Sequence, residues 1–157
     1  MVQVRKASNE DLEKIVEFLS KPVIDNMFLK PLSERDISIR ERVQKKYEQG
    51  IWLLLEENID VIGCRAIIYD KNKETATLST FAVHPNHKGK GYGSILYEKS
   101  LEVAKEYSPK KIIVDSWTGN KAAEYLAYKF GFTKVDEYDD PEKRPEGVKT
   151  VVYQKDL

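Results

Sequence analysis

Residues 84–94, HPNHKGKGYGS, place Gly89, Gly91 and Gly93 at every second position, alternating with Lys88, Lys90 and Tyr92. A backbone without Cβ atoms can approach a ligand closely. A β-rich run ends at Pro85 just before the glycines. An apolar pattern at helical spacing (Ile95, Leu96, Leu101, Val103, Ala104) begins just after them. The glycines therefore stand where a strand turns into a helix. The first amides of a helix are unpaired donors at the positive end of its dipole, and such a turn can hold phosphate oxygens. Lys88 and Lys90 add positive charge, and residues 84–94 contain no acid. The same pattern also suits an ordinary strand-to-helix turn with no ligand.

Two other phosphate motifs fail. A P-loop needs G-x-x-x-x-G-K-[ST], which no segment supplies. A dinucleotide fingerprint counted from Gly89 puts Ser94 at its third glycine. It also opens a βαβ unit, whereas three strands joined by short turns precede this one. Metal and nucleophile chemistry have little material. Two histidines and one cysteine, spread along the chain, are too few for a His/Cys zinc site. Cys64 alternates with apolar neighbours and reads as a core residue. His84, in the Val83–Pro85 turn, reads as structural.

The elements that must position the turn follow from periodicity. Val2, Val4 and Ala7 suggest a first strand. Ser8 with Asp11 starts a helix that carries Leu12, Ile15, Val16 and Leu19. Pro22 and Pro31 flank an apolar-aromatic link containing Met27 and Phe28. Ser33 with Asp36 predicts the next helix start, and Gly50 a left-handed cap at its end. IWLLLEE, VIGCRAIIYD and TATLSTFAVHP read as three strands, with a tight turn near Asn58. The helix after the glycines, the strand KKIIVDSW, a helix from Asn120 to Phe130, and the strands FTKVDEY and TVVYQKDL complete the chain. The expected order is β-α-α-β-β-β-α-β-α-β-β, an α/β fold with a mixed, mostly antiparallel sheet and helices on both faces. With no repeat and no long linker, residues 1–157 are expected to be one domain.

Composition supports this reading. Over 157 residues, 41% are hydrophobic and 33% charged, which excludes a disordered or low-complexity chain. Twenty-six basic residues balance twenty-six acidic ones. Zero net charge gives no global attraction to nucleic acid or an anionic membrane, so neither is expected as a partner. The longest apolar run, Ile51–Leu55, is far short of the ~20 residues that span a bilayer. The first residues lack a signal-peptide pattern, and the single cysteine fits a reducing compartment. A soluble cytoplasmic domain is the expectation.

The glycine-rich segment has a wider meaning when two blocks are taken together. V-H-P followed by K-G-K-G-Y-G resembles the acyl-CoA signature of the GCN5-related N-acetyltransferases, [RQ]-x-x-G-x-[GA], with Lys88 at the Arg/Gln position. That exchange keeps a donor but loses arginine's planar fork. NKAAEYLAYKFGF, 27 residues beyond Gly93, resembles the family's second block, with Asn120, Ala123, Gly131 and Phe132 on its positions. The element order resembles the family fold along nearly the whole chain.

The resemblance implies acetyl-CoA as co-substrate, an amine acceptor and no metal, and it leaves room for a homodimer. It further implies that the strand ending at Val83 splays from the strand ending near Trp117. Phe81, Ala82 and Val83 would then offer backbone groups to the pantetheine arm and acetyl carbonyl. Lys88, Gly89, Lys90, Gly91, Tyr92, Gly93 and Ser94 would wrap the pyrophosphate. Asn120 would bond the pantetheine, and Ala123 would leave room for it.

The family's usual general-acid tyrosine lies four residues before the G-F pair, where this sequence has Ala127. Tyr125 and Tyr128 are turned from that position by about 200° and 100° on a regular helix. Tyr128 serves as the acid only if the helix is irregular, and both tyrosines also suit packing. For the base, strand 75–83 offers only Ser79 and Thr80 where many relatives carry a carboxylate. Asp115, five residues before Asn120, is the candidate base, because one N-terminal-acetylating branch has a glutamate there. It also suits a paired polar residue at a strand end.

Residues 21–32 would form a wall of the acceptor site. Residues 136–146 hold six acids and two bases, and this charge of −4 would either attract a cationic amine or form a solvated loop tip. The expected function is acetyl transfer from acetyl-CoA to a primary amine of a small molecule. A protein N-terminus or lysine as acceptor, and a catalytically silent acyl-CoA-binding module, are the alternatives. The acceptor, the acyl length and the oligomeric state are not written in the sequence.

Overall fold

The computed structural model describes residues 1–157. In chain order the elements are β1 (Val2–Lys6), α1 (Leu12–Ser20), α2 (Pro22–Asp25), α3 (Ile39–Gln49), β2 (Gly50–Glu57), β3 (Asp60–Asp70) and β4 (Thr75–Val83). They continue with α4 (Tyr92–Lys105), β5 (Lys111–Trp117), α5 (Lys121–Lys129), β6 (Thr133–Asp139) and β7 (Lys149–Asp156). The order is the one expected, with one addition. The single turn α2 opens at Pro22, whose fixed φ and missing N–H suit the first helical position.

The seven strands form one sheet in the order β1-β2-β3-β4-β5-β7-β6. Every neighbouring pair is antiparallel except β4 with β5. Alternation along the strands divides the core. Leu53, Ile67 and Leu78 face the layer of α4, with Leu96 and Ala104. Trp52, Leu54 and Cys64 face the layer of α1 and α3, with Ile15, Phe18 and Val43. Fully burying one such aliphatic side chain contributes roughly 1.5–3 kcal/mol, so the two layers hold the sheet from both faces. Trp52 Nε1 stays satisfied in the core by donating to the Val43 carbonyl (3.0 Å). No helix is long and apolar enough to cross a membrane.

Two local expectations are corrected. Ser33 does not start a helix, because its hydroxyl and amide both donate to the buried Asp25 carboxylate and so tie down the loop after α2. Ser38 is the cap of α3 instead, accepting from the Glu41 amide (3.1 Å). Gly50 is not a left-handed cap, since its φ of 179° is extended. It already belongs to β2, and a Cβ there would collide with the Ile67 carbonyl of β3. Glycine is needed for the close approach of two strands.

The feature that builds the site is a break in pairing. β4 and β5 pair from Thr75–Lys111 to Leu78–Val114 and no further, while the strands run on to Val83 and Trp117. At that point β4 carries a bulge. Cys64 faces Ala82 and Ala66 faces Ser79, so Arg65 alone stands opposite Thr80 and Phe81. Thr80 takes a φ of 51° within it. An extra residue bends a strand and re-aims its side chains, and here it turns the end of β4 away from β5.

Candidate active site

The open gap between β4 and β5 is a cavity of about 720 Å³. Its walls are the ends of both strands, the glycine turn, the start of α5, the link after α2 and the loop between β6 and β7. Each strand presents backbone groups to one side at alternate residues. His84 donates its amide to the Ile62 carbonyl (2.7 Å), and Ala82 faces Cys64, both on the β3 side. Phe81 and Val83 are therefore the residues whose backbone turns to the gap. The expected share of Ala82 is corrected accordingly: its backbone is turned to β3 and its side chain is buried in the core layer of α1 and α3.

The glycine turn has the geometry its composition suggested. Gly89 and Gly91 both have φ of 79°, a left-handed conformation that L side chains rarely adopt, and a Cβ on either would point into open space. Gly91 caps α4. The amides of Tyr92, Gly93 and Ser94 have no acceptor within the chain. Lys88, Gly89, Gly91, Tyr92, Gly93 and Ser94 all line the cavity. Lys90 does not, and its ammonium lies over the Tyr92 ring. The Tyr92 hydroxyl turns away to donate to Glu57 (2.9 Å), leaving its amide at the turn. Gly93 is under no such constraint, since a Cβ there would meet Phe81 (3.6 Å) and Leu126 (4.0 Å) at ordinary van der Waals contact.

Asn120 and Ala123 line the opposite wall. Asn120 caps α5, accepting from the Ala123 amide (3.2 Å), and its Nδ2 donates to Ser116 Oγ (3.0 Å). One N–H of its amide is left for a ligand. Ala127 is buried in the core and α5 is regular there. Tyr128, the candidate acid, is not brought to the cavity; it is half exposed and packs edge-on against Tyr153. Tyr125 reaches only the mouth and is 64% exposed. Tyr125→Phe and Tyr128→Phe are each expected to keep turnover within about tenfold of the parent. A general acid contributes about 10²–10⁴-fold, so a loss of that size would place one of them at the reaction.

Asp115 does line the cavity, but not as a free carboxylate. Oδ2 accepts from Lys143 (3.1 Å), and Oδ1 lies 3.6 Å from Arg144. Ser79 is engaged too, its hydroxyl accepting from the Lys46 ammonium. His84 Nδ1 accepts from the Asn86 amide, a turn-forming role, and Cys64 is buried with its thiol pushed well above the usual range by burial. The link after α2 lines the cavity with Met27, Phe28 and Leu32.

The acidic rim is corrected. From the loop between β6 and β7 it is the two bases, Lys143 and Arg144, that enter the cavity, while Glu142 turns to Arg42 (3.4 Å). Lys30 donates to the Pro141 carbonyl (2.8 Å), so this loop is fastened to the link after α2 across the cleft.

Sequence reasoning missed Arg35, Arg42, Lys46, Arg65 and Tyr97, which also line the cavity. Arg65 is 2% exposed between the rings of Phe81 (4.7 Å) and Tyr97 (4.6 Å). Its Nε and Nη1, like the Tyr97 hydroxyl, have no hydrogen-bond partner. The only available signal was a charged residue inside the apolar alternation of β3.

The acetyltransferase (GNAT) family pattern matches residues 17–132. The chain is 26% identical over 113 residues to the amino-acid acetyltransferase of Haemophilus ducreyi, and 23% identical over 145 residues to that of Enterobacter sp.. These alignments take in 71% and 92% of the chain but only 25% and 30% of those longer proteins. Among solved structures it resembles yncA from Salmonella typhimurium, described with its cofactor acetyl-CoA. That likeness has a TM-score of 0.78 at 22% identity over 100% of this chain and 94% of that one. It resembles equally the ribosomal-protein-alanine N-acetyltransferase of Brucella melitensis, with a TM-score of 0.78 at 20% identity over 99% of both chains. At such identities the structures speak for the fold. The family pattern, covering most of the chain and both walls of the cleft, establishes that this protein belongs to the GNAT acetyltransferase family.

Proposed function

We propose that residues 1–157 act as one unit that binds acetyl-CoA in the gap between β4 and β5 and transfers its acetyl group to a primary amine of a small molecule. The observation that carries this is the acid-free turn with left-handed Gly89 and Gly91, opening onto a gap whose strand edges are unpaired. A pyrophosphate at the α4 N-terminus would lead its pantetheine arm along Phe81 and Val83, with the thioester near the β4 bulge. The amine nitrogen attacks the thioester carbonyl, the new C–N bond forms, and the C–S bond breaks to release CoA. Holding both reactants in one cleft supplies much of the catalysis. The thiolate leaves without an obligatory acid, since a free thiol has a pKa of about 8.5. The relatives' name, amino-acid acetyltransferase, supports a small amine.

Calorimetry with acetyl-CoA, followed by thiol release with a panel of amines, tests the reading. Binding without release by any amine would make the chain a silent acyl-CoA-binding module. Release confined to a peptide N-terminus or lysine would favour the protein acceptor.

In the same reading Asp115 borders the amine and takes its proton, directly or through one water. Asp115→Asn keeps the shape and removes the base. The rate is expected to fall most at low pH, where the amine is largely protonated, and to recover partly as pH rises. A pH–rate profile parallel to the parent's would leave Asp115 only its visible role of holding Lys143 and Arg144.

A further inference from the structure

The inner end of the cleft is strongly cationic. Arg35, Arg42, Lys46, Lys143 and Arg144 all line it, and Asp115 is the only acid that does. Counting Glu142, which pairs with Arg42 from outside the cavity, five cations face two carboxylates and leave a charge of +3. Two of these cations have donors to spare. Arg42 is 9% exposed with Nε unpartnered, and Arg35 gives Nε to the Lys30 carbonyl while neither Nη has a protein acceptor. Burying like charges together is unfavourable unless an opposite charge joins them. The strain is visible in the groups themselves. Burial and then Arg42 push Lys46 down to about 8, with Lys143 adding to the effect. Burial and then Arg42 push Arg35 down to about 10, against the pull of Glu142.

We infer that the acetyl acceptor is a small amine carrying two anionic oxygen-acid groups, carboxylate or phosphonate, held by these cations. This rests on the acetyl-transfer reading above. The amine end belongs beside Asp115, the single lining carboxylate, which lies toward the thioester gap and already holds Lys143 and Arg144. The acid groups belong at Arg35, Arg42 and Lys46 on one side and at Lys143 on the other. A neutral amine leaves the cluster uncompensated, and a cationic one adds to it. The phosphates of acetyl-CoA do not fill the role, because their turn caps α4 in one layer while Arg42 and Lys46 project from α3 in the other. The cluster lies where the link after α2 meets the β6–β7 loop, the two fastened together by Lys30 and the Pro141 carbonyl. That enclosure suits a compact molecule more than a chain.

The test is calorimetric titration of the CoA-loaded protein with one amine skeleton as its diamide, monocarboxylate, dicarboxylate and carboxy-phosphonate, beside an acidic N-terminal peptide. Each acid group is expected to tighten binding about tenfold, so the dianions bind about a hundredfold better than the diamide. Whether dicarboxylate or phosphonate wins identifies the acid. Lys46→Met and Arg35→Gln should each reduce the dianion-to-diamide ratio about tenfold, and a separate acetyl-CoA titration verifies that the variants are folded. Equal or tighter binding of the diamide, a ratio unmoved in both variants, or preference for the peptide would overturn the inference. Thiol release separates it from the reading beneath it. Tight dianion binding without release keeps the anion-binding site and removes acetyl transfer, whereas release with neutral amines and no dianion preference does the reverse.

Discussion

Gly91→Val is expected to raise the dissociation constant for acetyl-CoA at least tenfold, a loss of about 1.4 kcal/mol or more. Two effects act together. The residue caps α4 with φ of 79°, where a β-branched side chain is strained by roughly 1–2 kcal/mol. Its Cβ would also point into the open space beside the unpaired amides of Tyr92, Gly93 and Ser94, the proposed pyrophosphate site. Gly91→Ala separates the two, since it keeps most of the backbone strain but projects less bulk toward the ligand. It should fall between parent and valine in affinity, while thermal melting of the unliganded proteins reads the strain alone. Unchanged acetyl-CoA binding in Gly91→Val would remove the turn from the cofactor site.

Arg144→Ala is expected to destabilise the fold by about 3 kcal/mol, or roughly 6–12 °C in melting temperature for a chain of this size. The side chain is 5% exposed. Nε donates to Thr150 Oγ1 (3.0 Å), Nη2 donates to the Ser116 carbonyl (3.1 Å), and the guanidinium lies over the Trp117 ring. Truncation strips a buried carbonyl and hydroxyl of their donor and removes one of the two cations on Asp115. Arg144→Lys keeps the charge but not the planar fork, so it should recover only part of the loss. Denaturant titration checks both variants. A change within about 0.5 kcal/mol for the alanine variant would show that the β6–β7 loop does not depend on this anchor.

Local chemistry was readable from the chain wherever neighbours in sequence are also neighbours in space. The glycine turn, the two family blocks, the apolar run Ile51–Leu55 of β2 and the capping pair Ser8–Asp11 ahead of α1 are all of this kind, and the fold follows from them. The reading failed where a remote partner decides. Ser33 looks like a cap until Asp25 takes its hydroxyl, and Gly50 looks like a helix end until β3 approaches. The rim of residues 136–146 is acidic by count, yet its two bases point inward because Asp115, Ser116 and Thr150 wait there for them. Arg35, Arg42, Lys46, Lys143 and Arg144 are separated by up to 109 residues and carry no spacing pattern. The sequence by itself determined the family, the glycine turn and the order of elements, because those reside in short-range periodicity and backbone conformation. Only the tertiary structure decided which charges face the cleft, because the field there depends on side chains that long-range pairing and loop fastening bring together.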